Sequence, residues 1–250
     1  MPPTDASTGT GTGLSPQPRP EPDGAGTEDT LDMRLPDELI ALLAGEEPRL
    51  VDPPQDITTD GDLLDGVAGW DAAITSAGVF RLVPVRIERD LPLISRWMND
   101  PAVAAFWELA GPRTVTAAHL RAQLDGDGRS VPCLGVLDGL PMSYFELYRA
   151  DLDPLARHYP ARLHDTGVHL LIGGVADRGR GLGTTLLRAV ADLVLDHRPS
   201  CSRVIAEPDL RNTPSISAFM TAGFRFCAEL DLPDKGAALM IRDRALRHLL

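Results

Sequence analysis

One histidine stands in an otherwise apolar run, and a glycine-rich turn follows it closely. The run spans residues 167–173 and contains His169, and the turn spans residues 178–183. Imidazole can exchange a proton near neutral pH because its unperturbed pKa is about 6.5. Glycines allow successive backbone N–H groups to converge on an anion. The pattern therefore predicts a proton-transfer group beside a phosphate-binding turn.

The turn opens an amphipathic run that reaches His197, which predicts a helix directly behind it. The free N–H groups and the positive end of such a helix favour a bound pyrophosphate, and Arg178 or Arg180 can add a charge-assisted contact. The alternative is a tight turn with solvated arginines. With His169 as a general base beside it, the arrangement indicates acyl transfer from a donor of the coenzyme A type.

Two other phosphate-binding motifs do not fit this turn. A P-loop requires Lys followed by Ser or Thr where Leu182 and Gly183 stand. The dinucleotide-binding fingerprint requires an early βαβ unit, whereas this turn lies at the centre of the compact region. We therefore expect neither an NTPase nor a dinucleotide-binding protein.

Strand alternation places His169 at the centre of the predicted site. A period of two puts His169 and Leu171 on one face of the strand and Val168, Leu170 and Ile172 on the other. A neutral imidazole there could take a proton from an attacking nitrogen. The alternative is a core histidine whose hydrogen bonds are satisfied.

A second acidic segment, residues 207–212, ends the adjacent predicted strand. Pro208 interrupts its hydrogen-bond ladder, so the two strands could part there and admit an extended ligand. Asp209 has three candidate roles: to fix the tautomer of His169, to bind the amine of an acceptor, or to cap the next helix.

Three further residues are candidates for binding the acceptor: Trp107, Glu146 and Tyr148. They come from segments expected to wall the acceptor side of the site, together with Phe106 and Tyr144. Glu146 lies on the polar face of its strand and is the candidate for recognising an amine. The alternative for the aromatic residues is a place in the core.

The hydrophobic pattern predicts a mixed α/β fold, with a mostly antiparallel sheet and helices on both faces. Strands are predicted at residues 80–87 (edge-like because of Pro84), 131–137, 141–148, 167–173, 204–207, 224–232 and 237–241. Asp138-Gly139 predicts a two-residue hairpin. Helices are predicted from Asp90, over residues 115–124, from the glycine-rich turn to His197, and from Pro214 to Gly223 with Thr213 as the cap.

The net charge of −12 is concentrated at one end of the chain. Residues 1–78 hold 16 acidic residues against three arginines, and the remainder is nearly neutral. We predict a disordered acidic, Pro- and Gly-rich tail over residues 1–30 and an appendage over 31–78 with short helices at 35–43 and 63–74. The catalytic domain is predicted over 79–250. An acidic chain without a basic face is a poor partner for nucleic acid.

The three cysteines have no paired spacing, which favours neither disulfides nor a zinc site, and we expect a reducing cytoplasm. We find no export signal and no apolar run of membrane-spanning length, and we expect no membrane partner and no metal. The five other histidines, His119 among them, are interpreted as surface residues.

Residues 178–183 resemble the pyrophosphate-loop signature of the GCN5-related N-acetyltransferase (GNAT) superfamily, and residues 222–224 resemble its late helix-to-strand turn. Asn212 stands where that superfamily often has a helix-start residue near the coenzyme. The resemblance covers about residues 79–245. It implies a splayed central pair of parallel strands and acetyl-CoA or another acyl-CoA as co-substrate. The residues implied in cofactor binding are Leu171, Ile172, Arg178, Gly179, Arg180, Gly181, Leu182, Gly183, Thr184 and Asn212.

Within the superfamily, residues 97–101, 167–173 and 207–209 resemble the siderophore-biosynthesis acyltransferases. The resemblance implies His169 and Asp209 as the catalytic pair and donor pantetheine paired to the backbone after His169. It also implies a small-molecule acceptor, the side-chain amine or hydroxylamine of a lysine-, ornithine- or cadaverine-type siderophore precursor. The acyl group (acetyl, succinyl or longer), a carrier protein as donor and the oligomeric state stay open.

Two other functions remain as alternatives. An aminoglycoside 6'-N-acetyltransferase shares the loop signature, but its polycationic acceptor favours a carboxylate where His169 stands. A non-catalytic acyl-CoA-binding module would keep the turn and need no base.

Overall fold

The computed structural model describes residues 64–249, and within them the chain forms one eight-stranded mixed sheet. The spatial order is β1-β2-β3-β4-β5-β6-β8-β7, and every neighbouring pair is antiparallel except β5 and β6. The strands are β1 (Ala73–Thr75), β2 (Gly78–Pro84), β3 (Ser130–Leu137), β4 (Leu140–Arg149), β5 (Thr166–Ile172), β6 (Arg203–Ala206), β7 (Arg225–Asp231) and β8 (Gly236–Asp243).

Helices cover both faces of this sheet, as the hydrophobic pattern predicts. They are α1 (Ile87–Met98), α2 (Pro101–Trp107), α3 (Arg113–Leu124), α4 (Leu182–His197) and α5 (Thr213–Thr221). Leu186 and Val190 of α4 pack with Val168 in the larger core cluster. Ile94 of α1 and Leu120 of α3 pack with Leu171 on the opposite face. The mixed fold with helices on both faces is confirmed.

The central parallel pair separates after two residues. The β5–β6 register holds only Thr166↔Val204 and Gly167↔Ile205. Beyond Ala206 the chain bends toward β8, where Pro208 O accepts a hydrogen bond from Ala238 N at 2.8 Å. The two strands therefore diverge toward their carboxyl ends, and the expected opening between them is present.

The turn residues of the β3–β4 hairpin behave as predicted. Asp138 and Gly139 have φ angles of 47° and 81°, the left-handed pair that a type I′ turn requires. The cap of α5 differs from the prediction, because Asn212 and not Thr213 is the N-cap and its Oδ1 accepts from Ser215 N at 3.2 Å. Pro84 closes β2, which is the second strand of the sheet and not its edge.

The helix predicted over residues 63–74 is wrong in its second half. Within the described residues a 3-10 turn, Leu64–Gly69, is followed by β1, which pairs with β2. Leu64 and Val67 are buried in the main core. The predicted tail over 1–30 and helix over 35–43 lie outside the described residues. None of the helices between residues 64 and 249 is both long and apolar enough to span a membrane.

Candidate active site

Cross-strand pairing builds the centre of the site. Glu146 of β4 lies directly opposite His169 of β5, and Tyr148 lies opposite Gly167. Because side chains alternate along a strand, Tyr148, Glu146 and His169 share one face. A Cβ on Gly167 would lie 2.0 Å from the ring of Tyr148, so glycine there lets the tyrosine cross β5. The prediction of which face His169 occupies is confirmed.

His169 is held between two carboxylates. Its Nδ1 lies 3.1 Å from Glu146 Oε2, and its Nε2 lies 2.5 Å from Glu207 Oε1. Both glutamates are buried, whereas the side chain of His169 is 34% exposed. The imidazole is therefore fixed at both nitrogens and still open to the cleft.

The two carboxylates decide the charge of this histidine. Burial opposes a charged ring, but the negative charges and hydrogen bonds of Glu207 and Glu146 outweigh it and raise the pKa of His169 to about 10. Burial likewise opposes ionisation of Glu207, yet His169 holds the pKa of Glu207 well below its usual range. The pKa of Glu146 is lowered in the same way by His119 and His169. At neutral pH the three side chains form an imidazolium between two carboxylates, so the neutral ring expected from a pKa near 6.5 is not the resting form.

Neighbouring side chains fix both glutamates. Tyr148 donates its hydroxyl to Glu207 Oε2 at 2.6 Å, and Tyr144 donates to Glu146 Oε1 at 2.8 Å. His119 Nε2 of α3 lies 2.5 Å from the same Oε1 of Glu146. Both glutamates are thus positioned before any ligand binds.

Asp209 does not contact the ring of His169, whose hydrogen bonds go to Glu146 and Glu207, and the catalytic role that the resemblance implies for Asp209 stays a prediction. Its carboxylate binds Arg211, with Nη2–Oδ2 at 2.6 Å, and accepts from Arg211 N at 2.7 Å. The partner of His169 is Glu207, two residues earlier. Strand alternation gives residues 207 and 209 the same face, so the sequence alone could not choose between them.

His119 is not a surface residue, as the sequence interpretation has it, but a contact of Glu146. Gln123, one turn later on α3, donates to the same carboxylate at 2.8 Å. The available signal was their helical spacing with the buried Thr116 and Leu120 on one face of α3. Because His119 and Gln123 lie beside buried residues on the same helix face, their polar groups need a partner inside the protein.

The glycine-rich turn has the backbone that an anion site needs. Gly179 and Gly181 have φ angles of 70° and 80°, and no heavy atom lies within 4 Å of where a Cβ would stand on either. Gly181 is the N-cap of α4, and the backbone N–H of Thr185 makes the first bond back to Gly181 O at 3.1 Å. The N–H groups of the first turn of α4, ahead of Thr185, therefore have no partner within the helix and are available to an anion.

Arg178 is engaged by the protein itself. Its Nε and Nη2 donate to the carbonyls of Ile172 and Gly173 at 3.0 and 2.9 Å, and its Nη1 donates to Asp100 Oδ1 at 2.7 Å. Asp100 also caps α2. Arg178 thus braces the turn, while its expected contact with a phosphate stays a prediction; Arg180 is exposed.

Two cavities adjoin next to His169, which lines the second of them. One, of about 400 Å³, runs from the turn along β5, and among the candidate cofactor residues it is lined by Leu171, Ile172, Arg178, Gly179, Gly181, Gly183, Thr184 and Asn212. The second, of about 330 Å³, is lined by His169, Glu146 and Glu207. Trp107 and Asn212 line both, so the cavities share a wall. The rings of Trp107 and His169 lie 6.0 Å apart.

The described residues contain no cluster of three or more His, Cys, Asp or Glu side chains placed to hold a metal ion. The first cavity, of about 400 Å³, is called the donor cavity below. It carries backbone amides and small side chains at the glycine-rich turn, and these suit a phosphate-bearing ligand.

Comparison with known proteins agrees with this geometry. The family model described as "Acetyltransferase (GNAT) domain" matches residues 86–232. Lysine N-acyltransferase MbtK of Mycobacterium sp. (strain MCS) is 35% identical over 186 residues, which are 74% of this chain and 75% of that protein. N(6)-hydroxylysine O-acetyltransferase of Escherichia coli is 36% identical over 155 residues, 62% of this chain and 49% of that protein.

A solved structure has the same fold. The aminoglycoside acetyltransferase AAC(6')-Ib in complex with ribostamycin and coenzyme A superposes with a TM-score of 0.58 at 25% identity, covering 66% of this chain and 93% of that one. The matched domain includes the splayed strands, the glycine-rich turn and the donor cavity described above. The chain belongs to the GNAT acetyltransferase family and is an acyltransferase with acyl-CoA as its co-substrate.

Proposed function

We propose that this enzyme transfers an acyl group from acyl-CoA to the side-chain amine or hydroxylamine of a lysine-, ornithine- or cadaverine-type siderophore precursor. The observation that carries the proposal is the position of His169, which Glu146 and Glu207 fix in the second cavity, next to the wall that it shares with the first. Relatives named for lysine and for N(6)-hydroxylysine support this acceptor class.

The donor would lie along the turn and β5. The amides at the start of α4 would bind its pyrophosphate, together with the exposed Arg180, and the unpaired edge of β5 beyond Gly167 would pair with pantetheine at Leu171 and Ile172. Besides Arg180, Leu171 and Ile172, we assign six residues to donor binding: Gly179, Gly181, Leu182, Gly183, Thr184 and Asn212. The acyl group is acetyl, succinyl or longer, and its carrier is coenzyme A or an acyl carrier protein.

The second cavity, of about 330 Å³ and lined by His169, is called the acceptor cavity. Its charge favours a cationic ligand. Its acidic lining residues are Glu146, Glu207, Asp209 and Asp234, and its basic ones include Lys235. Asp209 is already paired with Arg211, but the remaining carboxylates still exceed the cations. An acceptor with an ammonium group is attracted to such a site, whereas an anionic acceptor is repelled. Trp107 would wall the acceptor, and Tyr148 and Glu146 would act through Glu207 and His169.

His169 would exchange the proton of the attacking nitrogen. In the resting protein its ring is protonated, so it must first give up that proton to act as a general base. A cationic acceptor beside Glu207 would compete with the imidazolium for that carboxylate and would lower the pKa of His169. The departing thiolate takes up a proton when the amide forms.

The test is release of free thiol from several acyl-CoA donors against a panel of acceptors. The panel holds lysine, N6-hydroxylysine, N5-hydroxyornithine, N-hydroxycadaverine and ribostamycin. The proposal expects turnover with one or more of the diamine or amino-acid acceptors and none with ribostamycin. Turnover with ribostamycin alone would favour the aminoglycoside alternative. Tight binding of acyl-CoA without turnover on any acceptor would favour a non-catalytic binding module.

Domain organisation and cellular location form part of the same proposal. We infer an acidic tail over 1–30, an appendage over 31–78 and the catalytic domain over 79–250; β1 lies within the appendage and pairs with β2. A reducing cytoplasm is supported by Cys133, Cys201 and Cys227, which are all free thiols.

A further inference from the structure

The chain contains one lysine, and it lies in the acceptor cavity. Lys235 occupies the turn between β7 and β8, where its carbonyl accepts from Leu232 N at 3.0 Å. Its Nζ lies 3.7 Å from Glu207 Oε1, and its side chain is 24% exposed. Twenty-three arginines and no second lysine accompany it. The only alkylamine side chain of the protein therefore points at the carboxylate that holds the imidazole.

Lys235 and His169 share one oxygen atom. Glu207 Oε1 lies 2.5 Å from His169 Nε2 and 3.7 Å from Lys235 Nζ. A primary amine on a four-carbon chain has the chemistry of the acceptor class proposed above. The ammonium of Lys235 thus stands where the ammonium of a free acceptor would meet the proton-exchanging histidine.

We infer that Lys235 is a self-acylation site: without a free acceptor, its amino group takes the acyl group of the donor bound in the same molecule. The inference rests on the proposed function, since it uses the same donor and the same histidine. The acceptor cavity that Lys235 lines shares Phe106, Trp107 and Leu170 with the donor cavity. A thioester delivered past Trp107 therefore emerges into the cavity that Lys235 already lines, and the flexible stem of lysine can close the remaining distance.

The reaction is balanced without a further reactant. The C–N bond forms between Nζ and the acyl carbon, and the C–S bond of the thioester breaks with its electron pair on sulfur. The ammonium of Lys235 loses two protons in total. One is taken up by the departing thiolate, which becomes the thiol of coenzyme A, and the other passes through His169 to solvent.

Acylation would change the site that produces it. The amide of acylated Lys235 carries no charge, so Glu207 would lose one of its two cationic neighbours. The acyl group would also occupy part of a cavity of about 330 Å³. We expect the modified protein to turn over free acceptors more slowly than the unmodified protein.

The test uses the full-length protein, acetyl-CoA and dodecanoyl-CoA, and no acceptor. Trypsin cuts after Arg225 and Arg242 and, in the unmodified protein, after Lys235. Acylation blocks the middle cut, so mass spectrometry should find an acylated peptide of residues 226–242. Lys235→Arg, which keeps the positive charge, should give only the unmodified peptides 226–235 and 236–242, and His169→Gln should slow the appearance of the acylated peptide by roughly 10²-fold or more.

Two further readouts separate catalysed from spontaneous acylation. The first-order rate should not depend on protein concentration, and saturating N6-hydroxylysine should suppress the reaction. The inference is wrong if His169→Gln is acylated as fast as the wild type, if the acceptor does not suppress the reaction, or if Lys235 stays unmodified. A parallel sample measures thiol release with the acceptor panel. Turnover there with unmodified Lys235 overturns only this inference, whereas no turnover in either sample overturns the proposed function too.

Discussion

A histidine between two carboxylates differs from a histidine in water. Glu146 and Glu207 each hold one nitrogen of His169, and their charges outweigh the cost of burying the ring. The pKa of about 10 means that the imidazolium is the resting form at neutral pH. Proton acceptance then requires a step that removes the first proton, and the pH dependence of the reaction should report that step.

We predict that kcat/KM for N6-hydroxylysine rises with pH through the neutral range and levels only near the pKa of His169, about 10. A hydroxylamine acceptor is used because its attacking nitrogen is already neutral there, so titration of the nucleophile does not contribute. In Glu207→Gln the imidazolium loses an anionic partner, the pKa of His169 falls, and the rise should shift to lower pH. Steady-state kinetics from about pH 6 to about pH 11 measure both effects.

The matched control for this prediction is Asp209→Asn. Asp209 lines the same cavity but its carboxylate binds Arg211, so its loss should leave the pH at which kcat/KM levels unchanged. A wild-type profile that falls as the pH rises through 10 would show that the imidazolium is the active form. That result would assign His169 the role of an acid and contradict its role as a base.

At the scale of elements, the start of α4 and the preceding turn form the proposed donor site. Gly181 caps α4 with a positive φ, and the space above it is open. Asp100 and Arg178 join this turn to α2, the helix that carries Trp107 into the wall between the two cavities. The geometry of donor binding and that of the acceptor wall are therefore linked through one ion pair.

We predict that Gly181→Val raises the dissociation constant of acetyl-CoA by roughly 10- to 100-fold, because a branched side chain would fill the place of the pyrophosphate and disturb the amides that bind it. Gly139→Val is the matched control. Gly139 also has a positive φ and open space around its Cβ position, but it lies in the β3–β4 turn. Calorimetry should find unchanged donor binding in Gly139→Val, and equal weakening in both variants would contradict the assigned site.

We predict that Asp100→Asn and Arg178→Gln are not additive. Each removes the same ion pair, so the double variant should raise the KM for acetyl-CoA by less than the product of the two single effects. A measurable coupling is expected because the two side chains share one hydrogen-bond network. Strict additivity would show that the turn and α2 are energetically independent.

Elements were more predictable from the sequence than contacts between them. The alternation around His169, the Asp138-Gly139 hairpin and the helix behind the glycine-rich turn follow from local patterns, and all are present. Strand β1 could not be predicted, because a strand of three residues is too short to show the alternation of apolar and polar residues. The choice of Glu207 over Asp209 depends on where β6 leaves β5, which is a tertiary feature.

At the scale of the whole molecule, the cluster formed by His169, Glu146 and Glu207 makes the free energy of unfolding depend on pH. The pKa of His169 is raised from 6.5 to about 10, so its contribution to the free energy of unfolding is complete below pH 6.5 and is lost as the pH rises toward 10. The pKa of Glu207 is lowered from 4.5 to about 2, so its contribution is complete above pH 4.5 and is lost as the pH falls toward 2. The cluster stabilises the fold most between these limits.

We predict that His169 and Glu207 contribute most to the urea midpoint of the wild type between about pH 4.5 and 6.5. The double variant His169→Gln, Glu207→Gln should lose the decline above pH 6.5, an effect on the order of 1–2 kcal/mol because solvent screens the partly exposed ring. Urea titrations across the pH range measure it. An unchanged alkaline decline in the double variant would show that other groups cause it.

The same scale shows what composition can and cannot predict. The net charge of −12 is carried by residues 1–78, and the balanced remainder agrees with a small-molecule enzyme. Composition could not indicate that the single lysine lies next to Glu207, because the β7–β8 turn meets the end of β6 only in the folded chain. The function of Lys235 is thus visible only from the assembled site.

The most direct test of the account compares His169→Gln with Gly181→Val in one experiment that measures acetyl-CoA binding and thiol release with N6-hydroxylysine. We predict that His169→Gln lowers kcat by roughly 10²- to 10⁴-fold and leaves the dissociation constant of the donor nearly unchanged. Gly181→Val should show weakened donor binding, with kcat at saturating donor much less affected. If His169→Gln weakens donor binding as much as it slows turnover, or turns over like the wild type, His169 does not carry the proton and the account is contradicted.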